Sequence, residues 1–268
     1  MNNIFDIKRF WSYFMYDLRR ARGRCGLSIL LLGLTPVMFF VIYTIWTLAL
    51  REPLEMLPSE MKFMAVFISA TVVLYAFGSR IYGFVTEKRA GSDFLLLPAS
   101  TLEKWISIVL MTCFVLPLVL FALLGISDAL MSLIFPGLYG PRFFAGAVQD
   151  LNRMFFARIG EGLHLNVTLL TFLSWCENLL IFTLGALCFK RGKIAKTFLC
   201  LFCAGLVLST LMLLFVGNAH LGYEWFEEHF ATAEQIQRAI DSSLAIIYTL
   251  VIGGLLGGLY YRIRTLQH

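Results

Sequence analysis

The sequence predicts an all-α, polytopic membrane protein with six transmembrane helices and an N-terminal amphipathic helix lying in the membrane interface. Three observations predict it. First, 59% of the 268 residues are hydrophobic, only 15% are charged, and the mean hydropathy is +0.78, against about half apolar and about a quarter charged in soluble domains. Second, the apolar residues gather in blocks rather than along faces: Cys25–Leu50, Phe63–Ser79, Trp105–Ser127, Leu165–Phe189, Thr197–Ala219 and Ser242–Tyr261. Each approaches the ~20 residues a helix needs to cross hydrocarbon, and lipid leaves helices as the way to satisfy backbone groups along such a span. Third, with a cytoplasmic N-terminus, of the 22 Lys and Arg only Arg51, Lys62, Arg142, Arg153, Arg158 and Arg238 fall on the outer side. That asymmetry predicts both termini inside, and reads the net charge of +5 as a topology signal, with no nucleic-acid partner. The whole chain, 1–268, reads as one transmembrane domain: interfacial helix 1–24, bundle 25–261, cytoplasmic loop 83–104 and tail 262–268.

Residues 4–24 place Ile7, Trp11, Phe14 and Leu18 on one helical face, with Lys8, Arg9, Arg19 and Arg20 on the remainder. This is the pattern of a helix lying on a bilayer with its cations toward anionic headgroups. The apolar block that follows is too long for the core of a signal peptide and has no small-residue cleavage site near its end, so no cleavable signal peptide is expected. Pro36 predicts a kink in the first span. The second span ends near Arg80, whose side chain can reach the interface.

Between the second and third spans, Ser100-x-x-Glu103 forms a capping box and predicts that the third helix starts at Thr101. Residues 86–97 predict a short helix along the membrane surface, stopped by Pro98. The third span contains Pro117 and ends at Asp128. The connection 128–164 carries the turn pairs Pro136-Gly137 and Gly140-Pro141, with enough apolar character to be partly embedded. A basic turn, Lys190-Arg191-Gly192-Lys193, joins the fourth and fifth spans. The acidic connection 220–241 carries Trp225, Phe226 and Phe230 for an aromatic belt. Its Thr232-x-x-Gln235 predicts a short outer helix over 233–240. In the last span Gly253, Gly254, Gly257 and Gly258 form overlapping Gly-x-x-x-Gly spacings, which predict close helix packing, within the subunit or at a subunit interface.

Chemistry is sparse. No phosphate-binding Gly-x-x-x-x-Gly-Lys-Ser/Thr loop, no His-Glu-x-x-His and no Gly-x-Ser-x-Gly elbow is present, so no catalytic residue and no metal ligand is assigned. The four histidines, His164, His220, His229 and His268, match no metal spacing. None of the six cysteines, Cys25, Cys113, Cys176, Cys188, Cys200 and Cys203, lies in an expected outer loop, and Cys200-x-x-Cys203 sits inside an apolar helix, which favours packing over redox work. Glu177 is the one acid deep in a span. Ser174, Glu177 and Asn178 share a helical face, giving either a hydrogen-bonded structural patch or an intramembrane polar path.

The cytoplasmic loop carries the one partner-facing pattern: Glu87-Lys88-Arg89, Gly91, Asp93, then Leu95-Leu96-Leu97-Pro98-Ala99-Ser100, then Glu103-Lys104. This resembles the loop of type-2 ATP-binding-cassette exporter permeases, in which a charged stretch leads through Gly to a leucine-rich turn, a Pro-hydrophobic-Ser step and the next span. Ser92-Asp93-Phe94 departs from the Thr-Leu-Glu of many members. The resemblance implies a permease in the plasma (inner) membrane, paired with itself or a second permease in the lipid bilayer. It implies a separate ATPase subunit that supplies ATP and Mg chemistry, docked on Glu87, Lys88, Arg89, Gly91, Asp93, Leu97, Pro98, Ser100, Glu103 and Lys104. No cofactor is expected in this chain. The alternatives are a non-transporting membrane scaffold or accessory subunit, and an intramembrane enzyme centred on Glu177.

Overall fold

The computed structural model describes residues 5–87, 91, 94, 96–144, 167–217 and 233–267, and among these the regular structure is helical throughout. Helix α1 spans Ile7–Gly33 and α2 spans Thr35–Leu50. Helix α3 spans Ser59–Thr86 and α4 Thr101–Ile134. A single turn, α5, covers Pro136–Tyr139. Then come α6 (Val167–Cys188), α7 (Lys193–Gly217) and α8 (Ala233–Gln267). Five of these are long and apolar enough to cross a membrane, and the pair α1–α2 makes a sixth candidate if its bend is counted within one span. The chain is therefore a polytopic helical membrane protein.

The expected boundary at residue 24 is absent. Helix α1 is started by Asp6, whose side chain accepts from the Lys8 amide, and runs on into the first apolar block. Its Tyr13, Asp17, Ala21 and Cys25 face the protein. Of the apolar stripe, Ile7 and Trp11 are left exposed, while Phe14 and Leu18 pack against the core. The break comes at Leu34, with a 43° bend. Its cause is Pro36, which has no N–H for the Leu32 carbonyl. That carbonyl is taken up by the Thr35 hydroxyl at 2.8 Å and the Ser69 hydroxyl at 3.1 Å, with the two hydroxyls 2.6 Å apart. A bend inside a lipid-embedded helix persists when freed backbone groups are satisfied this way.

Pro117 acts similarly in α4. The helix widens to a π-turn at Met111–Val115, and the Cys113 carbonyl, four residues before the proline, receives the Cys176 thiol of α6 at 4.0 Å. Helix α3 carries a matching π-turn at Val73–Phe77. Helix α6 lies at the centre, packed on α3, α4, α7 and α8. Its close approaches use small residues: a Cβ on Gly78 would sit 2.8 Å from the Thr183 hydroxyl, and one on Gly185 would sit 3.0 Å from Thr197 Cβ.

The glycines singled out in the last span do not serve this purpose within the chain. Among the described residues, a Cβ added at 253, 254 or 257 would meet no atom within 4 Å, and one on Gly258 would meet Leu184 at 3.6 Å. At that level α8 turns other residues inward: the Trp105 indole of α4 donates to the Leu256 carbonyl at 2.9 Å, and Leu259 is buried. Helices α7 and α8 are only 6% buried over their apolar windows, against 44% for α4, so they present most of their surface to lipid or to another chain. The expected short helix 233–240 is the first part of α8, which continues without a break. Much of the 128–164 connection, and Thr232, Trp225, Phe226 and Phe230, lie outside the described residues.

Candidate functional site

One end of the bundle gathers the start of α1, the end of α3, the start of α4, the α6–α7 turn and the end of α8. It carries most of the arginines and lysines and is called the basic end below. The connection from Gly83 to Lys104 crosses it. Within that connection Lys88, Arg89, Ser92, Asp93 and Leu95 lie outside the described residues; Gly91, Phe94 and Leu96 are helical.

The capping box is present: the Ser100 hydroxyl accepts from the Glu103 amide at 3.3 Å, and Glu103 accepts from the Ser100 amide at 2.8 Å. Glu103 does more than cap α4. Its carboxylate also accepts from the Asp6 amide at 2.9 Å and from Arg9, at 2.8 Å through Nε and 2.7 Å through a terminal nitrogen. The side chain is fully buried while that of Arg9 is 33% exposed. One carboxylate therefore satisfies orphan amides at the N-termini of both α1 and α4. Such sites favour negative charge, and the forked guanidinium contact adds directional, charge-assisted bonds.

Lys104 is buried as well. Its ammonium donates to the Phe94 carbonyl at 2.7 Å and lies 4.8 Å from the centre of the Phe94 ring. Glu103 and Lys104 were expected at a partner surface; both are instead internal anchors, because their charges are consumed in holding the connection. Gly91 is internal too: its amide donates to the Glu87 carbonyl at 2.8 Å, and a Cβ there would sit 2.5 Å from the Val85 carbonyl oxygen. The backbone passes so close that only glycine fits.

On its other side the connection is fastened to the α6–α7 turn. Lys193 donates to the Gly83 carbonyl, its ammonium lies 3.9 Å from the Glu87 carboxylate, and Thr86 donates to the Phe189 carbonyl at 3.4 Å. Beneath it lies a group that sequence pattern did not single out. Asp17 of α1 is buried and accepts from the Tyr82 hydroxyl of α3 at 2.8 Å and the Ser107 hydroxyl of α4 at 2.9 Å. Its only sequence signal is an acid at i+4 from Tyr13 on the side of α1 away from Trp11. Among the described residues of the connection, Glu87, Leu96 at 79%, Pro98 and Leu102 are exposed and Leu97 is half-buried.

The second candidate group divides. Ser174 and Asn178 line a cleft of about 360 Å³ with Thr171, Trp175 and Tyr248. The Asn178 amide donates to the Ser174 carbonyl at 2.8 Å, and the Trp175 indole N–H is buried without an acceptor. Glu177 is half-buried beside this cleft but is not among its lining residues. The structure thus places Ser174 and Asn178 in one largely apolar cleft, with Leu74 and Leu170 also in its walls, and leaves Glu177 off its lining.

No protein-family model, characterised protein or solved structure matches this chain.

Proposed function

We propose that this chain is the membrane-spanning permease subunit of an ATP-binding-cassette exporter, moving its substrate by motion driven by a separate ATPase subunit. The observation that carries the reading is the build of the 83–104 connection. It is fastened to α1 through Glu103–Arg9 and to the α6–α7 turn through Lys193, yet it presents Leu96 and Pro98 unpaired at its tip. A short element pinned to several helices transmits a push at its tip as rigid-body movement of those helices, because packed interfaces shift between discrete arrangements rather than deform smoothly. A scaffold has no need of a tip that is exposed and also mechanically tied.

In this reading the basic end is cytoplasmic, in the plasma (inner) membrane, as the distribution of Lys and Arg favours. The ATPase binds ATP and Mg and docks on Leu96, Pro98 and Glu87. Lys88, Arg89 and Asp93 of the same connection complete the docking surface, while Glu103 and Lys104 position it. The outward face of α8, with Gly253, Gly254 and Gly257, is the surface for a second permease, identical or related. The cleft lined by Ser174 and Asn178 offers polar groups to a substrate in transit.

The test is mild detergent extraction of the tagged chain from its native cells, with identification of what copurifies. A stoichiometric ATP-binding-cassette ATPase, lost in Leu96→Asp, is expected. Recovery of the chain alone, in a detergent that preserves known transporters of this kind, would move the assignment to a scaffold.

A further inference from the structure

A groove of about 510 Å³ opens at the side of the bundle near the basic end, within the ~300–1,000 Å³ usual for small-molecule sites. Its walls are apolar: Leu31 and Leu32 of α1, Val72 and Ala76 of α3, and Ile194 of α7. Its polar groups are Ser28, Ser79 and Arg80. The Arg80 guanidinium donates to the Ser28 hydroxyl at 2.5 Å. Among the described residues the ion pairs are Arg9–Glu103 and Lys193–Glu87, so no carboxylate pairs with Arg80. The Ser79 hydroxyl is buried without a hydrogen-bond partner, an unspent donor beside an unneutralised cation.

Helix α1 orders the same chemistry by depth. Arg20, Arg24, Ser28 and Leu32 recur at every fourth position, one face of a helix. From Arg24 to Leu32 the helix rises about 12 Å, passing from cation to hydroxyl to hydrocarbon wall. Arg20 and Arg24 stack on the Phe84 ring, 3.5 and 4.2 Å from its centre, which holds both guanidiniums one and two turns of α1 before Ser28, with the Glu87 carboxylate also acting on Arg24. The sequence of a phosphate-bearing headgroup followed by an acyl chain matches this order. Basic pockets between membrane helices on the cytoplasmic side are suited to such lipids.

We infer that the groove between α1, α3 and α7 is a binding site for one anionic phospholipid, with its phosphate at Arg80, Arg24 and Ser79 and an acyl chain along Val72, Ala76 and Leu31. The site does not depend on the transport reading. A lipid seated there bridges α1 to the π-turn of α3, Val73–Phe77, at a point where the protein's own packing leaves a gap.

Native mass spectrometry of the full chain in mild detergent tests this, with dioleoyl phosphatidylglycerol, dioleoyl phosphatidylcholine and inorganic phosphate as probes. One phosphatidylglycerol per chain is expected, unaffected by millimolar phosphate, with phosphatidylcholine retained less. Arg80→Gln is expected to weaken retention about fivefold, the effect of one interfacial basic residue. Val72→Trp, which fills the exposed wall of the groove, is expected to abolish it, whereas Arg264→Gln, a basic residue at the same end, leaves it unchanged. Equal retention of phosphatidylcholine overturns the proposal. So does competition by inorganic phosphate with no effect of Val72→Trp, the signature of a free-anion site, and so does unchanged retention in both groove variants. If Arg80→Gln fails to fold, Val72→Trp decides alone.

Discussion

Replacing Glu103 with glutamine keeps the side chain's volume and removes its charge. The carboxylate now serves the Asp6 amide and Arg9 through one oxygen, and the Ser100 amide and Arg9 through the other. An amide has one acceptor oxygen, so one of the two backbone donors loses its partner and faces an N–H₂ group instead. Leaving a buried donor unsatisfied costs about 1–3 kcal/mol, and loss of an N-terminal cap about 1 kcal/mol. Leaving Arg9 out of the sum, because its guanidinium reaches water, the expected destabilisation of the joint between α1 and α4 is about 2 kcal/mol. At about 1.4 kcal/mol per factor of ten, amides in the first turns of α1 should exchange with deuterium roughly 30-fold faster, while the centre of α4 around Leu120 and Leu124 stays protected. Peptide-resolved exchange in detergent reads this directly. Exchange over residues 6–12 equal to that of the parent protein would refute the claim that Glu103 joins the two helices.

Three further perturbations separate the parts of the account. Tyr82→Phe removes one of the two hydroxyl donors to buried Asp17, and should lower the unfolding free energy in mixed micelles by about 2 kcal/mol; an unchanged midpoint would make the Asp17 cluster incidental. Gly185→Ala forces a methyl onto Thr197 and should cost about 1–3 kcal/mol, with Thr197→Ala restoring much of the loss in a double-mutant cycle; additive losses would mean that α6 and α7 are not in contact there. Leu96→Asp changes a residue that is 79% exposed, and should leave thermal unfolding within about 0.5 kcal/mol of the parent while eliminating association with the ATPase.

Local signals in the sequence carried furthest. The capping box at Ser100 and Glu103 needs only four consecutive residues, so the start of α4 was legible, as was the disruption at Pro36. The carbonyl that Pro36 frees was not, because its second partner, Ser69, lies 37 positions from Leu32. The same holds for Arg9 and Glu103, 94 positions apart: each charge alone resembles a solvated residue near an interface. The apolar stripe expected on α1 divides: Ile7 and Trp11 stay exposed, whereas Phe14 and Leu18 pack against the core beside Tyr13, Asp17, Ala21 and Cys25, whose mixed polarity gives no periodic signal. The glycines of α8 show the converse. Their spacing permits close packing, yet it does not say which helix approaches, and among the described residues close helix–helix approaches fall instead at Gly33, Gly78 and Gly185. Glu177 shares a helical face with Ser174 and Asn178 by spacing, but a cleft is narrower than a face, and only the latter two line it.

The most direct test places a photo-crosslinking amino acid at position 96 in living cells, with position 208 on the exposed face of α7 as the comparison. A crosslink from position 96, absent from position 208, to a protein identified as an ATP-binding-cassette ATPase is the predicted result. Crosslinks from position 96 to lipid, or to this chain alone, would contradict a docking tip at Leu96 and with it the coupling role of the 83–104 connection.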